Sequence, residues 1–243
     1  MSSTIKIVEC PRDAMQGISE FIPTEKKTAY INQLLKVGFD TIDFGSFVSP
    51  KAIPQLKDTA QVLAGLDLSN TKSKLLSIIA NTRGAETACN FDEINYLGFP
   101  LSVSEKFQKR NTNKSIEEAL NVVKEIQNLS VKNNKELVVY LSMAFGNHYG
   151  ENYHPDIVAE LTEKLSKLDI GIISLSDTIG VSNPSNIAPL FSTLINEYSK
   201  IEFGAHFHTT PDKWEEKMDS AFQNGCKRFD SAIKGFGGCP MAK

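Results

Sequence analysis

No run of apolar residues in this chain approaches the roughly 18 that a membrane-spanning helix needs, so no membrane partner is expected. The opening segment, Met1 to Val8, is too short and too polar to read as a signal peptide. Cysteine is scarce: Cys10, Cys89, Cys226 and Cys239 are the only four. They show neither close pairing nor metal-ligand spacing, so they read as reduced thiols in a cytoplasmic protein, three of them as packing residues. A strong charge of either sign is also lacking. The formal net charge of −3 gives no general attraction to nucleic acid or to an anionic membrane surface, and any anionic ligand must be held by local Lys and Arg. There is no low-complexity stretch and no Pro/Gly/Ser linker, which leaves residues 1–243 as a single domain.

What is present fits that size. Hydrophobic residues make up 41% and charged residues 23%, as in an ordinary globular protein. Short apolar runs alternate with longer segments of helical periodicity. The runs are Ile5–Glu9, Thr41–Phe44, Leu75–Ala80, Glu93–Leu97, Leu137–Ser142, Ile172–Ser176, Glu202–His206 and Arg228–Ala232. Between them, Ser115 to Val131 and Pro155 to Leu168 each open on a cap or an N-terminal proline. Eight strands with helices between them predict parallel pairing, and 243 residues match the roughly 250 of a TIM (β/α)₈ barrel. A doubly wound open sheet is the alternative.

Polar and ionisable residues gather just after these strands: Arg12 and Asp13, Asp43 and Ser46, Asn81, Asp177, His206 and His208, and Cys239. Barrel enzymes build their sites at the C-terminal ends of strands, so these six segments converge on one rim. His206-Phe207-His208 is the most informative spacing. Two His at i and i+2 of a strand share a face and can reach one metal, or they are simply hydrogen-bonded histidines at a strand end. With Asp13 added, the set suits Mg²⁺, Mn²⁺ or another borderline divalent ion better than a structural zinc site. Pro11-Arg12-Asp13 puts a cation beside an acid at a strand end. Asp177-Thr178-Ile179-Gly180 reads either as a site segment or as a turn and helix cap. Cys239, between Gly and Pro, has little packing role and reads as a reactive loop thiol.

These segments resemble hydroxymethylglutaryl-CoA lyase, within the metal-dependent barrel lyases and Claisen-type condensing enzymes. The similarity runs through Pro11-Arg12-Asp13 with Gln16, Ser46-Phe47-Val48-Ser49-Pro50-Lys51, and Ser104-Glu105 with Phe107 and Asn111. It continues in Asp177-Thr178-Ile179-Gly180-Val181, His206-Phe207-His208, and Gly235-Phe236-Gly237-Gly238-Cys239-Pro240. The resemblance implies cleavage of an acyl-CoA substrate with a divalent metal, Mg²⁺ or Mn²⁺, as cofactor. Asp13, His206 and His208 would be the metal ligands. The catalytic set would be Arg12, Asp13, His206, Cys239 and Asp177, and substrate would be held by Arg12, Gln16, Asp43, Ser46 and Tyr149. A homodimer is the expected assembly.

The departures are local. Val8 stands where the family has Glu, with Glu9 one place later and therefore on the opposite strand face. Thr209 replaces an Asp or Asn, Lys234 a small residue, and Asn147-His148-Tyr149 matches the family's pocket loop only at the Tyr. Lys51, Lys106, Lys109 and Arg110 are either holders of the coenzyme A phosphates or a solvated basic face. Because Lys243 follows so closely on the eighth strand, the barrel reads as truncated, with a metal-ligand Asn and a sealing helix expected beyond it. A lyase for a related 3-hydroxyacyl-CoA, or an aldolase or condensing enzyme acting on a 2-oxo acid, would share the same metal and arginine. A binding protein on a degenerate barrel would have no reason to keep them.

Overall fold

The computed structural model describes residues 4–238. Within them, eight strands close in chain order into one parallel barrel: β1 (Lys6–Glu9), β2 (Thr41–Ser46), β3 (Lys74–Ile78), β4 (Ile94–Ser102), β5 (Glu136–Ser142), β6 (Ile172–Asp177), β7 (Glu202–Phe207) and β8 (Arg228–Ser231). β8 returns to β1 through four register pairs, from Lys6 opposite Arg228 to Glu9 opposite Ser231. The sheet has no edge, which excludes the open alternative and confirms the barrel. Around it run α1 (Pro11–Gln16), α2 (Thr24–Val37), α3 (Thr59–Ala64), α4 (Thr82–Cys89), α5 (Glu105–Thr112), α6 (Ile116–Lys132), α7 (Pro155–Ser166), α8 (Pro184–Glu197) and α9 (Trp214–Gln223).

Local chemistry sets these elements. Ser115 and Glu118 form a reciprocal cap at the start of α6. The Glu118 N–H donates to Ser115 Oγ (3.1 Å) and the Ser115 N–H to the Glu118 carboxylate (2.7 Å). Ala119, Val123 and Ile126 then follow at helical spacing and are buried against the barrel. In α7, Pro155 occupies the first helical turn, where its missing N–H leaves no bond unmade.

Strand alternation divides the interior in two. In β6, Ile173 and Leu175 turn outward into the large core shared with the helices, while Ile172 turns inward to Leu76, Tyr96, Val138 and Tyr140. The inward layer is filled by side chains, so the barrel is a packed floor and only its C-terminal mouth is open.

Candidate active site

β1 hands over directly to α1, whose first residue, Pro11, is preset for the helical turn. That short helix carries Arg12 and Asp13 across the mouth. From the end of β7, His206 and His208 arrive on one side of the strand. One ligand atom from each of Asp13, His206 and His208 lies within 4.8 Å of the others. The expected trio is therefore assembled from two strand ends that flank β8.

The outer partners of the two imidazoles decide which nitrogen is free. His206 Nδ1 lies 2.7 Å from Asp230 Oδ2, and His208 Nδ1 lies 2.8 Å from the Thr178 carbonyl. A carbonyl only accepts, so His208 carries its proton on Nδ1 and keeps a lone pair on Nε2. The carboxylate of Asp230 favours the same tautomer for His206. Burial works against a charged His206, but Asp230 and Asp13 overcome it and raise its basicity. Burial, and then the nearness of His206, lower the basicity of His208. Burial also opposes ionisation of Asp13; Arg12 and the two imidazoles outweigh it and hold the carboxyl below its usual range. One carboxylate and two imidazoles whose Nδ1 atoms are already engaged, leaving Nε2 for a cation, fit Mg²⁺ or Mn²⁺, which prefer oxygen and accept nitrogen.

Arg12 is fixed from behind. Its Nε lies 3.0 Å from Asp43 Oδ2, Nη2 donates to the same oxygen, and Nη1 donates to Asp13 Oδ1 (2.9 Å) and Gln16 Oε1 (3.1 Å). With Nε also donating to Asp43 Oδ1 (3.2 Å), both carboxylate oxygens are engaged and the guanidinium plane is locked. Burial pushes the Asp43 carboxyl up to about 6 against the pull of Arg12. Asp43 is 0% exposed and sits behind the arginine: its carboxylate anchors Arg12 and is not part of the cavity lining, although substrate binding was the role expected of it. Gln16 donates to Asp13 Oδ1 (2.6 Å) and to the Gly238 carbonyl (3.3 Å), joining α1 to the loop after β8. Gly237 approaches so closely that a Cβ there would lie 3.0 Å from Asp13 Oδ2.

A cavity of about 470 Å³ opens from this cluster, lined by Arg12, Asp13, Gln16, Ser46, His206 and His208 on its floor side. Ser46 Oγ is buried there without a partner. Val48, Ile53, Pro100 and Phe107 form apolar wall, and Arg110, Asn111 and Lys114 also line the space.

Other expectations fall elsewhere. Asp177 is 0% exposed and does not reach the mouth. In β6 it shares the outward parity of Ile173 and Leu175, and its carboxylate accepts from the Val181 N–H (2.8 Å), the Ser182 N–H (3.0 Å) and Lys217 Nζ (2.8 Å). Of its two readings, this geometry matches the loop-capping one. Tyr149 is not on the cavity wall; its ring packs against Phe107, at 6.4 Å between centroids. Of the four basic residues weighed for phosphate binding, Arg110 alone lines the cavity. Lys106 donates to the Tyr149 carbonyl and Lys109 pairs with Glu105. Glu9 turns away from the interior, its carboxylate taking the Ser231 hydroxyl (2.9 Å) and the Ile233 N–H (3.0 Å). Cys239 lies outside the described residues. Asp230, Lys114 and Lys217 escaped the reading of the sequence; only the inward parity of Arg228 and Asp230 in β8 would have flagged the first.

A parallel barrel with an Asp–His–His cluster at its C-terminal mouth, and a clamped arginine beside it, defines the class of metal-dependent TIM-barrel proteins. Within that class the chain belongs to the HMGL-like family, whose model matches residues 4–240. It is 36% identical to a hydroxymethylglutaryl-CoA lyase of Bacillus subtilis (strain 168), over 98% of this chain and 79% of that protein. It is 32% identical to a cytoplasmic 3-hydroxy-3-methylglutaryl-CoA lyase of Rattus norvegicus, over 98% of this chain and 69% of the relative. Among solved structures, an HMG-CoA lyase from A. baumannii in complex with coenzyme A and 3-methylmalate superposes with a TM-score of 0.91. It is 31% identical, and the match covers 100% of this chain and 80% of that one.

Proposed function

We propose that this chain cleaves 3-hydroxy-3-methylglutaryl-CoA to acetyl-CoA and acetoacetate, in a reaction that depends on a divalent cation held by Asp13, His206 and His208. The observation that carries this reading is the convergence of those three donors beside Arg12 at the base of one cavity, in a chain that shares its family with known lyases of this substrate. When bound, the cation supplies Lewis acidity toward the C3 oxygen and a fixed point for orienting the acyl group.

The chain's own residues account for the rest. The C3 hydroxyl gives up its proton, the C2–C3 bond breaks, and its electron pair passes to the thioester as an enolate while C3 becomes the ketone of acetoacetate. Arg12 meets that developing charge with a guanidinium that Asp43 has already oriented, so no reorganisation is needed as the bond breaks. Asp13, His206 and Cys239 are the groups we assign to the two proton transfers, one removing the hydroxyl proton and one delivering a proton to C2. Ser46, a cavity-lining residue whose Oγ has no protein partner, would be a polar contact for substrate, and Arg110 and Lys114, which line the same cavity, would meet the phosphates of coenzyme A. The test is a coupled assay for both products, with the protein first stripped of metal and then reloaded with Mg²⁺ or Mn²⁺. Equal amounts of acetyl-CoA and acetoacetate are expected, only after reloading. Metal-loaded protein that turns over a different 3-hydroxyacyl-CoA, or a 2-oxo acid, and leaves this substrate intact would displace the reading.

A further inference from the structure

His208 is the first residue beyond β7, so no strand ladder holds it. Three other bonds do. Its N–H donates to the Asp177 carbonyl (3.3 Å), its Nδ1 to the Thr178 carbonyl (2.8 Å), and its own carbonyl accepts from Lys217 Nζ (3.2 Å). Lys217 is the unexpected member. It lies on α9 at 1% exposure, where an apolar side chain would be ordinary. Its ammonium also donates to Asp177 Oδ2 (2.8 Å) and to the Gly180 carbonyl (3.2 Å), so that all three of its protons are used. Gly180 has φ +73, and a Cβ there would stand 3.3 Å from the His208 carbonyl oxygen. Two carbonyl dipoles are thus brought side by side, an arrangement that repels unless a cation lies between them.

We propose that Lys217, with Asp177 as its counter-charge, is a positioning residue for His208: it pins the backbone of the loop after β7 to the loop after β6 and so aims His208 Nε2 at the cation. This rests on the reading of His208 as a metal ligand. Asp177 fixes the Val181 and Ser182 amides, Thr178 Oγ1 takes the Met143 N–H (2.9 Å), and Lys217 closes the assembly from the helix side. Without the ammonium, the His208 carbonyl would have to leave Gly180 for water, and the imidazole would move with it. Losing such an outer partner lowers metal affinity roughly 10- to 100-fold.

The experiment measures Mn²⁺ affinity by titration calorimetry, beside circular dichroism and thermal unfolding. Lys217→Met leaves a buried Asp177 unpaired, which threatens the fold, so Asp177→Asn/Lys217→Met is made as well to remove both charges together. The control is Lys135→Met. Lys135, in the turn before β5, is another buried ammonium, and it holds the Phe91 carbonyl just ahead of β4 and the Ile94 carbonyl at that strand's first residue (2.7 Å each), away from the mouth. We expect wild type to bind Mn²⁺, the folded double variant to bind it roughly 10- to 100-fold more weakly, and Lys135→Met to lose stability while affinity stays within about twofold. A folded double variant with unchanged affinity would overturn the proposal, as would a loss of the same size in Lys135→Met. Wild type that binds no Mn²⁺ would instead remove the ligand assignment on which the proposal stands.

Discussion

Arg12 shows how much one residue's role depends on what stands behind it. Its bonds to Asp43 use Nε and Nη2 and leave Nη1 toward Asp13 and the cavity. Lysine at this position would keep the charge and lose the planar fork. Arg12→Lys is therefore expected to lower kcat by a factor on the order of 10² to 10³, matching roughly 3 kcal/mol for a lost donor to developing charge, with KM changing far less. An effect confined to KM would make Arg12 a ground-state anchor. Asp230 is the parallel case for metal. Asp230→Asn should cut Mn²⁺ affinity roughly 10- to 100-fold, because the amide no longer enforces the Nδ1–H tautomer of His206; an unchanged affinity by calorimetry would count against that role. Arg12, Asp13, His206 and His208 were legible in the sequence because each stands at or just after a strand end, and the two His share one strand face by their spacing. Asp230 and Lys217 were not. A charge inside Arg-Phe-Asp, or in a helix beside two Glu and an Asp, reads as solvated until the fold buries it.

At the scale of elements, the strand positions were legible and one boundary was not. The apolar run at β4 reads as ending at Leu97, yet the strand continues through Gly98, Phe99 and Pro100 to Ser102. Proline inside a strand usually argues against it, since a ladder bond is lost. Here β3 pairs with β4 only as far as Ile78 opposite Gly98, and Ile79 N–H donates to the Gly98 carbonyl. Pro100 has the same parity as Gly98, so its missing N–H points toward β3 beyond that strand's end. The α4 start holds a different constraint. A Cβ on Gly84 would lie 2.6 Å from the Phe47 carbonyl oxygen, a backbone atom that cannot swing aside. Gly84→Ala should push α4 away from the segment bearing Ser46, Val48 and Ser49, destabilising the fold by about 1–3 kcal/mol. Because that segment lines the cavity, KM should rise as well. Denaturant unfolding and steady-state kinetics read both effects, and unchanged values for each would show that the helix shifts freely.

For the whole molecule, the number of strands announced closure, and closure puts the first and seventh strand ends on either side of β8. That strand is only four residues long and meets β7 at two register pairs, Gly204 with Arg228 and Ala205 with Phe229. A cation held by Asp13 on one side and by His206 and His208 on the other spans this seam. Binding to the folded state alone adds RT ln(1 + [L]/Kd), about 2.7 kcal/mol at a concentration 100 times Kd. With roughly 2–4 °C per kcal/mol for a domain of this size, saturating Mn²⁺ should raise Tm by roughly 5–10 °C. Chelation should reverse the rise. His208→Ala, which removes a donor from a partly exposed position, should keep a Tm close to that of the metal-free parent and show little response to Mn²⁺. Hydrogen exchange should localise the gain to β1, β7 and β8, since those are the strands the cation joins, whereas β4 and β5, paired over seven residues, have little to gain. Protection that rose uniformly, or a His208→Ala protein that responded to Mn²⁺ as fully as the parent, would mean that the stabilising cation sits somewhere other than between these three side chains.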